Sequence, residues 1–127
     1  MSADRTFTVE QAEILLPQVR HQLELMREAL AWLRKSSARL APGEASSAEL
    51  EPSPVHEAAL RQLATAQRRL EEAGVELKDV DRGLVDFPSV HGGRPILLCW
   101  LEGEPTVGWY HERETGFSGR RPLADLT

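Results

Sequence analysis

The strongest constraint on this fold is a change of hydrophobic period at Gly74. Ahead of that residue apolar side chains recur in steps of four and three; behind it they alternate with polar ones. The first spacing puts side chains on one face of a helix, and the second puts them on one face of a strand. Such a chain builds helices first and a sheet second, and must bury the one against the other.

Ala12, Leu16, Val19, Leu23, Met26, Leu30 and Leu33 form a heptad stripe that predicts a helix over residues 8–40. Thr8 and Gln11 stand at capping-box spacing at its start. Pro17 lies inside the stripe and lacks a backbone donor, which predicts a kink or a short entry helix ahead of the long one. Residues 41–54, rich in Pro, Ser, Ala and Glu, read as a surface loop. Ala59, Leu63, Ala66, Leu70 and Ala73 then repeat the four-three spacing, predicting a second helix over 55–73 that Gly74 stops in a left-handed conformation. At ~1.5 Å per residue the helices span roughly 50 Å and about 30 Å. The first overhangs the second, and its spare apolar length needs cover from the sheet or from another subunit.

Beyond Gly74, Val75–Lys78 reads as a short strand, with better ones at Leu84–Val90, Pro95–Leu101 and Thr106–Glu112. His91-Gly92-Gly93-Arg94 predicts a two-residue hairpin turn, and Glu102-Gly103-Glu104-Pro105 a second. Those turns set a register. Asp86 falls opposite Cys99, Phe87 opposite Leu98 and Val85 opposite Trp100; further on, Cys99 falls opposite Gly108, Leu98 opposite Trp109 and Ile96 opposite His111. One face then carries Val85, Phe87, Ile96, Leu98, Trp100, Val107, Trp109 and His111, the expected core. The other, with Leu84, Pro88, Leu97, Leu101 and Tyr110, is semi-apolar and crossed by the polar row Asp86–Cys99–Gly108. The expected architecture is α+β: a long antiparallel helical hairpin, kinked near Pro17, on a three- to four-stranded antiparallel meander over 75–112, with a tail over 113–127.

With 127 residues, 41% of them hydrophobic and 28% charged, the chain has the size and composition of one globular domain. A net charge of −5 argues against general nucleic-acid binding, Arg113, Arg120 and Arg121 being only a local exception. The single cysteine, Cys99, excludes an internal disulfide and fits a reducing cytoplasm. No leader-like segment and no apolar run of membrane-spanning length is evident, so a cytoplasmic protein with no membrane partner is expected.

Chemistry-bearing residues gather in the C-terminal third. Cys99 could act as nucleophile or metal ligand, both of which require thiolate, whereas a buried free cysteine is commonly a small hydrophobe. A carboxylate directly across the strand disfavours the thiolate, so Asp86 and Cys99 are better suited to sharing a cation than to nucleophilic attack. His111 is a base or ligand by type, but the register above puts it on the core face, away from both. His21, His56 and His91 show no metal-ligand spacing. Gly116-Phe-Ser-Gly-Arg-Arg lacks the strand–loop–helix context of a phosphate loop and reads as a structural tail, Phe117 plugging the second sheet face and Arg120 reaching Asp86 or Glu104. The pocket candidates are Asp86, Cys99, Tyr110 and Arg120, with Glu104 and His111 secondary; no catalytic residue, cofactor or metal is assigned.

The runs Gly83-Leu-Val-Asp-Phe-Pro, Leu98-Cys-Trp with Gly103-Glu104-Pro105, Trp109-Tyr-His-Glu and Gly116-Phe-Ser-Gly-Arg, with Phe7-Thr8 and Leu15-Leu16-Pro17 near the start, resemble a bacterial domain-of-unknown-function family, number 2203. The likeness covers essentially the whole chain and implies no reaction, ligand or catalytic residue. The favoured functional expectation is a homo-oligomeric interaction or scaffold module, a homodimer whose contact is made by the overhanging helix or the second sheet face. The alternative is a small-molecule or metal-binding protein, with or without catalysis, whose polar pocket lies on the second sheet face.

Overall fold

The computed structural model describes residues 5–38 and 53–126. Helix α1 runs over Val9–Ala38. Its start is the expected capping box: the Thr8 N–H donates to Gln11 Oε1 at 2.9 Å and the Gln11 N–H to Thr8 Oγ1 at 3.1 Å. The helix continues unbroken through Pro17, so no separate entry helix forms. Pro17 is on the exposed side, where water can satisfy the carbonyl it leaves without a donor.

Helix α2 runs over Pro54–Ala73, capped by the Ser53 hydroxyl, which accepts from the His56 N–H, and closed by Gly74 at φ +88°. The expected loop over 41–54 falls, through residue 52, outside the described residues. Two contacts order the helices antiparallel. Gln62 Nε2 donates to the Leu25 carbonyl at 2.9 Å, while Arg5, just ahead of α1, packs over Gly74 at the end of α2.

The sheet is an antiparallel meander in chain order: β1 Glu76–Asp79, β2 Leu84–His91, β3 Arg94–Leu101, β4 Trp109–His111 and β5 Arg121–Pro122. It has five strands rather than the three or four expected. The extra one comes from the tail, where two residues are too few to show alternation. The β2–β3 register is the expected one, with Val85, Asp86 and Phe87 opposite Trp100, Cys99 and Leu98. Gly92 and Gly93, at φ +57° and +79°, make the turn, which needs positive φ at both central residues.

The next register differs by one residue. Cys99 pairs with Trp109, Leu98 with Tyr110 and Leu97 with His111. The cause is the connection. Glu104 Oε1 accepts from the Leu101 N–H at 2.8 Å, the Glu104 N–H donates to the Leu101 carbonyl at 3.0 Å, and the Glu104 carbonyl accepts from Trp100 Nε1 at 3.0 Å. These bonds hold a wider loop over residues 102–108 in place of a two-residue turn. The slip turns every β4 side chain over. His111 and Trp109 move to the second face, and Tyr110 moves to the helix-packed face.

That helix-packed face is the core. Ala12, Leu16, Val19, Leu23 and Met26 of α1 join Ala66 and Leu70 of α2 and Val85, Phe87, Ile96, Leu98, Trp100 and Tyr110 of the sheet in one cluster. The segment before α1 lengthens the β2 edge past the end of β1. The Phe7 N–H donates to the Pro88 carbonyl at 2.8 Å, and the Phe7 ring meets Phe87 edge-on at 5.4 Å.

Arg27 ties α1 to the far end of the sheet, donating to the Val80 carbonyl at 3.1 Å and pairing with Glu102 Oε1 at 2.7 Å. Glu102 lies tight against Gly83, whose φ is +71° and whose missing Cβ would fall 2.5 Å from Glu102 Cβ. Gly83→Ala is therefore expected to destabilise the protein by about 1–3 kcal/mol from backbone strain alone, with the clash added. Gly92→Ala, strained but in open space, is expected to cost less; urea unfolding of both variants checks the order.

Candidate metal centre

Asp86 stands in the middle of β2, Cys99 opposite it on β3, and His111 one row on at the end of β4. All three side chains face away from the helices, and all are buried, at 1%, 0% and 3% exposure. One nitrogen, sulfur or oxygen from each lies within 4.8 Å of the other two. The cluster exists because the wider loop puts His111 on the second face; with the register expected from the sequence it would have pointed into the core.

The hydrogen bonds of His111 define its role. Nδ1 lies 2.7 Å from the Glu112 carbonyl, which can only accept, so Nδ1 carries a proton. Nε2 lies 3.0 and 3.1 Å from the two Asp86 oxygens. In neutral imidazole Nε2 is then a lone pair turned on a carboxylate. Two acceptors at that distance repel one another unless a cation, either a proton or a metal ion, lies between them.

Among the described residues, Cys99 and His111 do not form a nucleophilic dyad. Both ring nitrogens of His111 are engaged, and neither is bonded to the thiol. Burial, with the Asp86 charge adding to it, pushes the Cys99 thiol from 9.0 up to about 12.

Two structures cover the cluster. On the β4 side the tail folds back, and Arg120 pairs with Glu104 Oε1 at 2.9 Å and donates to the Cys99 carbonyl at 3.4 Å. Its guanidinium lies 4.7 Å from the Trp109 ring centre and 4.9 Å from that of Phe117. On the β1 side Glu76 is the register partner of Asp86. Arg113 grips the Glu76 carboxylate with two bonds of 2.8 and 3.0 Å, and Lys78 Nζ sits 3.0 Å from Glu76 and 3.9 Å from Asp86. The Arg113 hydrogen bonds hold the Glu76 carboxyl down at about 2 from its usual 4.5.

Of the six residues singled out in the sequence, Asp86, Cys99 and His111 come together. Glu104 and Arg120 pair beside them, against the Cys99 main chain. Tyr110 lies with the helix-packed core and is not part of the group. Glu76, Lys78 and Arg113 were missed. A signal existed for the first two, which flank core-facing Leu77 and so share the face of Asp86.

Fold and site together define an α+β protein with a buried carboxylate–thiol–imidazole cluster between its sheet and its own C-terminal tail. More particularly, the chain belongs to the family of uncharacterized conserved proteins DUF2203, whose family model matches residues 5–123. No curated protein and no solved structure matches it.

The native thiol is expected to resist alkylation and to react only on unfolding, which mass spectrometry after brief iodoacetamide exposure reads directly. Between pH 9 and about 12 the unfolded chain gives up the Cys99 proton and the native one keeps it, so stability falls as pH rises through that window. Glu76 acts at the other end. Between 4.5 and about 2 the unfolded chain binds a proton the native one does not, so its contribution is lost as pH falls. Denaturation series at several pH values should show Cys99→Ala flattening the alkaline limb and Arg113→Gln the acid one.

Proposed function

We propose that this protein binds one divalent transition-metal ion through Asp86, Cys99 and His111. The observation that carries the reading is the convergence of His111 Nε2 and the Asp86 carboxylate, 3.0 Å apart, with the Cys99 thiol within 4.8 Å. One thiolate, one imidazole and one carboxylate form a mixed donor set suited to zinc and its neighbours rather than to calcium or magnesium. The Glu112 carbonyl on Nδ1 is the outer contact that fixes a ligating histidine in its tautomer. Because the thiol is strongly protonated, uptake of the ion releases a proton and weakens as pH falls.

Wild-type protein is expected to take up one zinc or cobalt ion per chain, seen by native mass spectrometry. The cobalt form should carry a thiolate charge-transfer band, and an ion held a hundredfold above its dissociation constant should stabilise the fold by about 2.7 kcal/mol. Cys99→Ser should lose the band and His111→Ala the stoichiometric ion. A wild-type protein that stays bare at millimolar zinc overturns the reading.

One observation favours a second reading, the homodimeric interaction module. Ile14 and Trp32 are 77% and 50% exposed. They stand about five helical turns apart and so share one side of α1. In that reading a second copy covers the side of α1, not the second sheet face, where Phe117 and Arg120 already lie. A lone reduced thiol also suits a cytoplasmic location. Sedimentation of wild type against the Ile14→Ser, Trp32→Ser double variant tests it: a dimer that the double variant dissociates is expected, and a wild-type monomer at high concentration sinks it.

A further inference from the structure

We infer that Lys78 and Arg113 form an oxyanion subsite of the metal centre, filled in the resting protein by the protein's own Glu76 carboxylate. The inference rests on the metal-binding reading above and names what the ion's remaining coordination position takes.

Glu76 is held as a bound carboxylate would be. Arg113 meets it with two parallel bonds of 2.8 and 3.0 Å, the fork geometry that recognises carboxylate and phosphate, and Lys78 adds a third contact at 3.0 Å. Lys78 also reaches to 3.9 Å from Asp86, so the cradle adjoins the cluster directly.

Charge supplies the second argument. Without metal, Glu76 and Asp86 balance Lys78 and Arg113, Arg120 and Glu104 balance one another, and the proton between His111 and Asp86 is the one excess charge. A divalent ion that displaces that proton and the Cys99 proton keeps one uncompensated positive charge in a buried site, now centred on the ion. Three protein ligands leave a position open on a four-coordinate ion. An anion in that position removes the excess charge, and burial makes the removal worth more than it would be in water.

Shape supplies the third. Two cavities flank the ion pair. One of about 440 Å³ is lined by Glu76 and Lys78, and the other, of about 340 Å³, by Arg113 and Leu97. Pro88, two residues from Asp86 on the same strand face, is a wall of both. The Glu76–Arg113 bond therefore has one partner on the wall of each space. A small oxyanion, phosphate or a carboxylate, fits the forked donors that reach these spaces.

The test is titration of cobalt-loaded protein with inorganic phosphate and with acetate, followed by the cobalt visible spectrum and by calorimetry. Phosphate is expected to shift the wild-type spectrum. Glu76→Gln, which removes the internal competitor's charge, should bind phosphate about tenfold more tightly, and Arg113→Gln about tenfold more weakly, on the scale of one charge-assisted hydrogen bond. Metal content should stay at one per chain in both. Equal phosphate binding in all three proteins, or a spectrum that no anion moves, overturns the subsite and leaves the metal site standing. Loss of the metal in Glu76→Gln also overturns it, by making Glu76 a ligand. Absence of the cobalt band in wild type is a different failure: it overturns the metal reading and this inference with it.

Discussion

The second face of the sheet depends on how Glu104 holds the β3–β4 connection. Its carboxylate, N–H and carbonyl all bond to residues at the end of β3, and the carboxylate also receives Arg120 from the tail. One residue thereby sets the loop width, satisfies the buried Trp100 indole and anchors the segment that closes the face. A two-residue turn would leave β4 displaced by one position. His111 would then face the aliphatic core, where an unpartnered ring nitrogen costs about 1–3 kcal/mol, and Tyr110 would stand beside Asp86.

That dependence explains which parts were legible in the sequence. The heptad stripe, the Thr8–Gln11 box and Gly74 are local signals whose physics is complete within a few residues, and the helices follow from them. Gly92-Gly93 is equally local, because positive φ at two successive positions selects the turn. The pairing of Asp86 with Cys99 was readable for that reason. The Glu104 loop carries no such mark. Gly103-Glu104 has the look of a tight turn, and what overrides it is a set of side-chain to backbone bonds that form only once β3 and the tail are in place. The misplacement of His111, and with it the scattering of the cluster over two faces, follows from that one long-range effect. β5 was hidden differently: Arg121-Pro122 is too short for a period and is a strand only because β4 offers it an edge.

A buried carboxylate, thiol and imidazole are an expensive choice for the middle of a small sheet whose neighbours are Leu, Val and Trp. Buried ionic groups add little net stability compared with well-packed apolar ones. The thiol is not reactive in this setting, and the imidazole is not free to serve as a base. Nucleophilic chemistry does not account for the arrangement, and the proposed shared coordination of a cation is the reading that would use all three groups at once, the thiol giving up its proton on binding.

The two covers over the cluster differ in how easily they open. Arg120 is only 12% exposed; it is clamped between Trp109 and Phe117 and paired with a 22% exposed Glu104. Lifting it would break two ring contacts and a sheltered ion pair, and would expose the main chain of Cys99. On the opposite flank Arg113 is 60% exposed and Glu76 30%. An ion pair so placed is worth about 0–1 kcal/mol, and no ring packs on it among the described residues. The second cover is therefore held by less than the first. For the proposed ion, the Glu76 flank is the weaker barrier on the way to Asp86, and the tail is the firmer one.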